Sequence, residues 1–85
     1  MFANDVKNKI SVSGYIVTSE KDKSGHIIQV ALQTDDFVNY TIENDKFGQE
    51  LLQMVSKRIV VSGNVINQDY NGNNILSVTQ YKVIH

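Results

Sequence analysis

The chain has 85 residues, room for one domain and not two. Hydrophobic residues make up 41% and charged residues 20%, the balance of a folded domain rather than a disordered one. Eight Lys and Arg against nine Asp and Glu give a net charge of −1, so no broad basic surface exists to hold nucleic acid through phosphate contacts alone. The absence of cysteine excludes disulfides and cysteine-held zinc or iron–sulfur centres. No apolar run reaches the ~20 residues of a membrane helix. Met1-Phe2-Ala3-Asn4-Asp5 does not read as a signal peptide, so the expected location is the cytoplasm, with a processed exported protein the alternative.

Residues 1–8 read as a short extension before a barrel spanning about 9–84. In the first stretch Ile10, Val12 and Ile16 alternate with Ser11, Ser13 and Tyr15, the period of a half-buried strand. Gly14 interrupts it where a bulge or sharp bend is expected, and the strand runs to about Ser19. Glu20 to Gly25 is polar and reads as a turn. A second strand follows from His26 to Gln33, with Ile28, Val30 and Leu32 on one face and Gln29, Ala31 and Gln33 on the other. Thr34-Asp35-Asp36 is a short turn. The third strand, Phe37 to Glu43, sets Val38, Tyr40 and Ile42 against Phe37, Asn39 and Thr41.

The period then changes. Phe47, Leu51, Met54 and Val55 form one helical stripe, with Asn44 or Asp45 as N-cap and an end near Ser56. A helix this short is marginal alone and needs a partner for its apolar face, such as the open end of a barrel. Arg58 to Asn67 reads as the fourth strand, interrupted by Gly63, with Ile59, Val61 and Val65 facing one way. Asn71-Gly72 signals a tight type I′ hairpin. The fifth strand runs from Asn74 to Ile84, with Leu76, Val78 and Val83 inward. Val12-Ser13-Gly14-Tyr15-Ile16 is echoed by Val61-Ser62-Gly63-Asn64-Val65, which reads as two hairpins with similar bending needs.

The order β-β-β-α-β-β, with the helix between strands three and four, is that of a five-stranded Greek-key barrel, the OB-fold. In detail the chain resembles OB-fold domains of the anticodon-binding-like group and related small OB proteins. The residues that carry the resemblance are Ile10 to Ile16, Lys57 to Val65 and Ile75 to Ile84. The resemblance implies a ligand site on the outer face of strands two and three, flanked by the loops joining strands one–two and four–five. On this chain that face would carry Gln29, Ala31, Gln33, Phe37, Asn39 and Thr41, with Tyr15 and Val17 joining if no bulge reverses their parity. The loops would add Lys21, Lys23, Tyr70, Asn71 and Asn73.

Each of these residues has two readings. Tyr15 and Phe37 are stacking platforms or packing residues at strand ends. Gln29, Gln33, Asn39 and Thr41 read bases or sugars, or form a solvated polar face without the Lys and Arg that binders in the family interleave. Lys21 and Lys23 touch phosphate, or balance Glu20 and Asp22 in a solvated loop. Lys57 and Arg58 are expected at the helix C-terminus, where cations meet the dipole. His26 reads as a surface residue. No spacing suits a metal site, a nucleophile elbow or a phosphate-cradling Gly loop, so no cofactor and no enzymatic activity are expected. Two functions lead, a module binding single-stranded nucleic acid weakly, or a protein-interaction module that uses an exposed strand edge or a dry patch of Tyr15, Val17 and Phe37; sugar or small-ligand binding is the remaining alternative.

Overall fold

The computed structural model describes residues 9–84, and the extension expected over residues 1–8 lies outside the described residues. Five strands and one short helix follow in the expected order: β1 Lys9–Lys21, β2 Ile27–Thr34, β3 Asn39–Ile42, α1 Lys46–Leu51, β4 Arg58–Gln68 and β5 Asn74–Val83. The strands close in the order β1-β2-β3-β5-β4. All pairs are antiparallel except β3–β5, which is parallel through Tyr40, Thr41 and Ile42 against Asn74, Ile75 and Leu76. β1 pairs with both β2 and β4, so no strand among the described residues is left with a free edge along its whole length. This closed barrel with its helix between β3 and β4 has OB-like order.

The alternation along β1, β2, β4 and β5 builds the interior. Ile16, Val30, Leu32, Ile42, Leu51, Ile59, Val61, Leu76 and Val78 form one buried cluster. Burying each such side chain contributes about 1.5–3 kcal/mol, the main favourable term for so small a domain. Leu51 brings α1 onto this cluster. Phe47 packs edge-on against Tyr81, with ring centroids 6.0 Å apart. Tyr81 Oη donates to Glu50 Oε1 at 2.7 Å, tying the helix to β5.

Four irregularities decide which side chains face inward; one, on β4, leaves Ile66 extra between Val65 and Asn67 and exposed. Thr18, Glu20 and Lys21 oppose Val30, Gln29 and Ile27, so Ser19 is extra on β1 and Ile28 is extra on β2. Ile27 thereby takes the core position expected for Ile28, which is left exposed. On β5 the register passes over Thr79, which keeps Tyr81 and Val83 packed against the core. At Gly14 the register is unbroken. A Cβ there would lie 2.1 Å from the Gln33 carbonyl oxygen, and one at Gly63 would lie 2.1 Å from that of Ser77. The sequence echo is therefore a shared geometry: each glycine admits the backbone of the strand that follows in its hairpin.

Turns and helix depart from expectation in instructive ways. Asn71-Gly72 is not a two-residue type I′ turn, because Asn71 is not at positive φ. Asp69 instead closes a five-residue turn, its Oδ1 accepting from the amides of Asn71 and Asn73 at 2.9 Å. The Asp69 amide donates to Asn73 O and that of Gly72 to Asp69 O. The β1–β2 turn repeats every bond: Asp22 Oδ1 accepts from Ser24 and His26, Asp22 donates to His26 O, and Gly25 donates to Asp22 O. The β2–β3 turn repeats the frame a third time. Thr34 donates to Val38 O, Phe37 donates to Thr34 O, and Thr34 Oγ1 accepts from the Val38 amide. The position held by Gly25 (φ 88°) and Gly72 (φ 83°) is here held by Phe37 (φ 63°). Phe37 and Val38 thus belong to this turn rather than to β3, and both side chains are exposed.

Asp45 caps α1 as expected, its Oδ1 accepting from Gly48 N at 3.1 Å. The helix ends at Leu51 rather than near Ser56. Beyond it, amides of Gln53, Met54 and Lys57 donate three residues back, and this tight path still lays Met54 and Val55 on the core. Lys57 and Arg58 therefore do not sit at the helix C-terminus. No helix among the described residues is long and apolar enough to cross a membrane.

Candidate functional site

The outer face of β1, β2 and β3 is built in cross-strand rows. Because Gly14 introduces no bulge, Tyr15 and Val17 point outward beside β2. In the first row Arg58, Tyr15, Gln33 and Asn39 lie side by side on β4, β1, β2 and β3. The second holds Val17, Ala31, Thr41 and Ile75. The third holds Glu20 and Gln29. Successive rows along a strand are about 7 Å apart, the rise of two residues.

The first row carries the stacking surface. The Tyr15 side chain is 46% exposed, and the Arg58 guanidinium carbon lies 5.8 Å from its ring centroid. Such a contact is worth about 0.5–1 kcal/mol at an exposed site. Arg58 also meets Asp35 Oδ2 at 3.4 Å, linking the row to the β2–β3 turn. Strand parity alone predicts no cation on this face. Arg58 supplies one because β4 starts there, with the residue paired to Tyr15. Asn39 Oδ1 and Arg58 Nε are buried without a hydrogen-bond partner among the described residues. Phe37, 80% exposed, stands on the turn at the end of this row, and Tyr70 stands fully exposed on the β4–β5 turn.

Between the second and third rows and the β4–β5 turn lies an open depression of about 510 Å³, lined by Glu20, Gln29, Thr41, Gln68, Asp69, Tyr70 and Ile75. Thr41 is not the exposed contact expected of it: at 3% exposure it donates through Oγ1 to Asp69 Oδ2 at 2.6 Å and so fixes the turn. That bond, with the amides of Asn73 and Asn71, holds the Asp69 carboxyl below its ordinary value against a partial opposing effect of burial. Asn71 and Asn73 serve the same turn through their backbones. Glu20, expected in a loop, is in strand. The extra Ser19 turns it onto the outer face opposite Gln29. Lys21, by the same shift, opposes Ile27 and does not line the depression, and Lys23 is exposed on the β1–β2 turn.

The structure thus gathers Tyr15, Gln33 and Asn39 in one row and Gln29, Thr41 and Tyr70 around one depression, and sets Phe37 and Lys23 on flanking turns. Arg58 and Glu20 were missed because strand starts and bulges, not residue types, decide their facing. A larger open depression of about 720 Å³ lies between the start of β2 and α1, around Ile28, Lys46 and Leu52. It holds no aromatic side chain, and the carboxylate of its Glu50 is taken by Tyr81. Among the described residues no group of three or more His, Cys, Asp or Glu converges to hold a metal ion. No protein-family model matches the chain, and no curated protein matches it.

Proposed function

We propose that the protein is a non-enzymatic OB-type binding module that takes an extended single strand of nucleic acid on the outer face of β1–β3, chiefly through its bases. One observation carries this reading: three exposed aromatic rings, Tyr15, Phe37 and Tyr70, border a face whose polar groups are the amides Gln29, Gln33 and Asn39. Stacking on such rings contributes about 1–3 kcal/mol per base and tolerates any sequence. The Arg58 guanidinium plane beside Tyr15 adds a further stacking surface. Phe37 strengthens the case, because a bulky residue held at positive φ with its ring in solvent costs stability and gains no packing in return.

Phosphates are served only at the margin, by Arg58 and Lys23, so affinity is modest. The test is an amide-resolved NMR titration with a short mixed-sequence single strand at low and moderate salt. Shifts gathered on Tyr15, Gln29, Gln33, Asn39 and Tyr70 support the proposal. No shift at low salt refutes it.

A second reading has its own observation. Glu20, Asp22, Asp35, Asp36 and Asp69 surround this face or its turns, a charge that suits a cationic, extended protein segment. Such a partner would lie across the face, because the closed barrel offers no whole free strand among the described residues for edge-to-edge addition. Titration with an arginine-containing peptide distinguishes the two.

A further inference from the structure

We infer that the depression beside the β4–β5 turn selects a guanine base, with the Glu20 carboxylate accepting the two adjacent N–H donors of its Watson–Crick edge. This rests on the single-strand reading above and names the base that the site prefers.

The pocket's chemistry is uneven. Ile75 is its apolar lining residue, the fully exposed Tyr70 its aromatic one, and Gln29 and Gln68 bring amides that both donate and accept. Two carboxylates line it, but only one is free. Asp69 Oδ1 already accepts two backbone amides and Oδ2 accepts the Thr41 hydroxyl. No hydrogen bond or ion pair among the described residues occupies Glu20, which the extra Ser19 has turned onto this face opposite Gln29. The volume, about 510 Å³, lies within the roughly 300–1,000 Å³ typical of small-ligand pockets.

A carboxylate only accepts, and it accepts best from two parallel donors. Guanine alone offers that pair, N1–H beside the N2 amino group. Adenine and cytosine each present one amino donor next to a ring acceptor, a match for an amide instead. Uracil and thymine present a single N–H between two carbonyl oxygens, which face a carboxylate unfavourably. The same two negative groups repel phosphate, so the base enters and its backbone stays outside, towards Lys23 on the neighbouring turn. Acidic residues that count against phosphate binding thereby become the source of base choice.

The experiment compares fluorescence anisotropy of the intact protein with three labelled DNA octamers: all thymidine, the same with one central guanosine, and the same with one central inosine, which lacks the N2 amino group. The guanosine strand is expected to bind at least about fivefold tighter than the thymidine strand, the lower end of what one bidentate base contact provides. Inosine should fall between. In Glu20→Gln, an exposed substitution that leaves the core untouched, the preference for the guanosine strand over the thymidine strand should vanish. Equal binding of guanosine and thymidine strands overturns the guanine assignment and leaves the single-strand reading standing. A preference that survives Glu20→Gln also overturns it. Binding of none of the three overturns both.

Discussion

Phe37→Gly separates what the fold needs from what the face does. Phe37 holds the left-handed position that Gly25 and Gly72 hold in the two matching turns. A left-handed conformation costs a non-glycine residue about 1–2 kcal/mol. The glycine variant recovers that amount and gives back about 0.5–1 kcal/mol, because its unfolded chain is freer. Little packing is lost, since the ring is 80% exposed. The net expectation is a gain of about 0.5–1 kcal/mol, which for a domain of this size raises Tm by about 2–8 °C. Thermal melts followed by circular dichroism, with urea midpoints as a second measure, read the first half. Anisotropy with a single-stranded octamer reads the second, where loss of one stacked base should weaken binding about fivefold or more. A lower Tm would mean that the ring packs and that the strain argument is wrong. A higher Tm with unchanged binding would remove Phe37 from the site.

Other expectations follow from named contacts. Gly14→Ala forces a Cβ to 2.1 Å from the Gln33 carbonyl oxygen, and relief requires backbone movement; it should cost about 3 kcal/mol, the upper part of the range for overpacking, and Gly63→Ala a similar amount. A loss below about 1 kcal/mol in urea unfolding would show that the two strands separate easily. The Asp69 carboxyl, lowered by Thr41 and two backbone amides, stabilises the fold fully above its ordinary value of 3.8, and that contribution disappears as pH falls through the lowered value. Urea midpoints of wild type and Asp69→Asn should therefore converge on acidification. Tyr81 is shifted the other way, raised from 10.0 chiefly by its hydrogen bond to Glu50. Its contribution is complete below 10.0 and is lost as pH climbs through the raised value, so Tyr81→Phe should show a flatter alkaline decline in stability. Finally, two cations, Arg58 and Lys23, flank the face, and each phosphate contact on a single strand contributes about 0.7 to the slope of log K against log salt. The slope should be no steeper than about −1.5, and a much steeper one would point to a phosphate track elsewhere.

Strand order was legible because alternation survives local irregularity: Ile10, Val12 and Ile16, or Ile59 and Val61, mark an inward face whatever happens at the turns. Facing near the strand ends was not. One extra residue at Ser19 moves Glu20 onto the outer face, and one at Ile28 exchanges it for Ile27, yet neither residue type announces a bulge. Residue identity was informative where chemistry is local, as with Asp45 and its cap. It misled at Asn71-Gly72, where the dipeptide suggested a two-residue turn and the carboxylate two positions earlier set a longer one. Thr41 shows the same limit. Alternation gives its outward parity on β3, but its hydroxyl is held by Asp69, 28 residues away, and no local pattern connects them. Arg58 was visible as a cation, while its pairing with Tyr15 came only with the β1–β4 register.

The carboxylate-clamped turns also bear on how costly recognition is. A loop that orders only when its ligand arrives gives up conformational entropy at that moment, and affinity falls accordingly. Asp22 and Asp69 have already spent that entropy in folding, each drawing two amides of its turn onto one oxygen. The two loops flanking the face therefore arrive preorganised. A module with few cations can still bind usefully if little freedom remains to be lost, and its partner, rather than the barrel, must do most of the adapting.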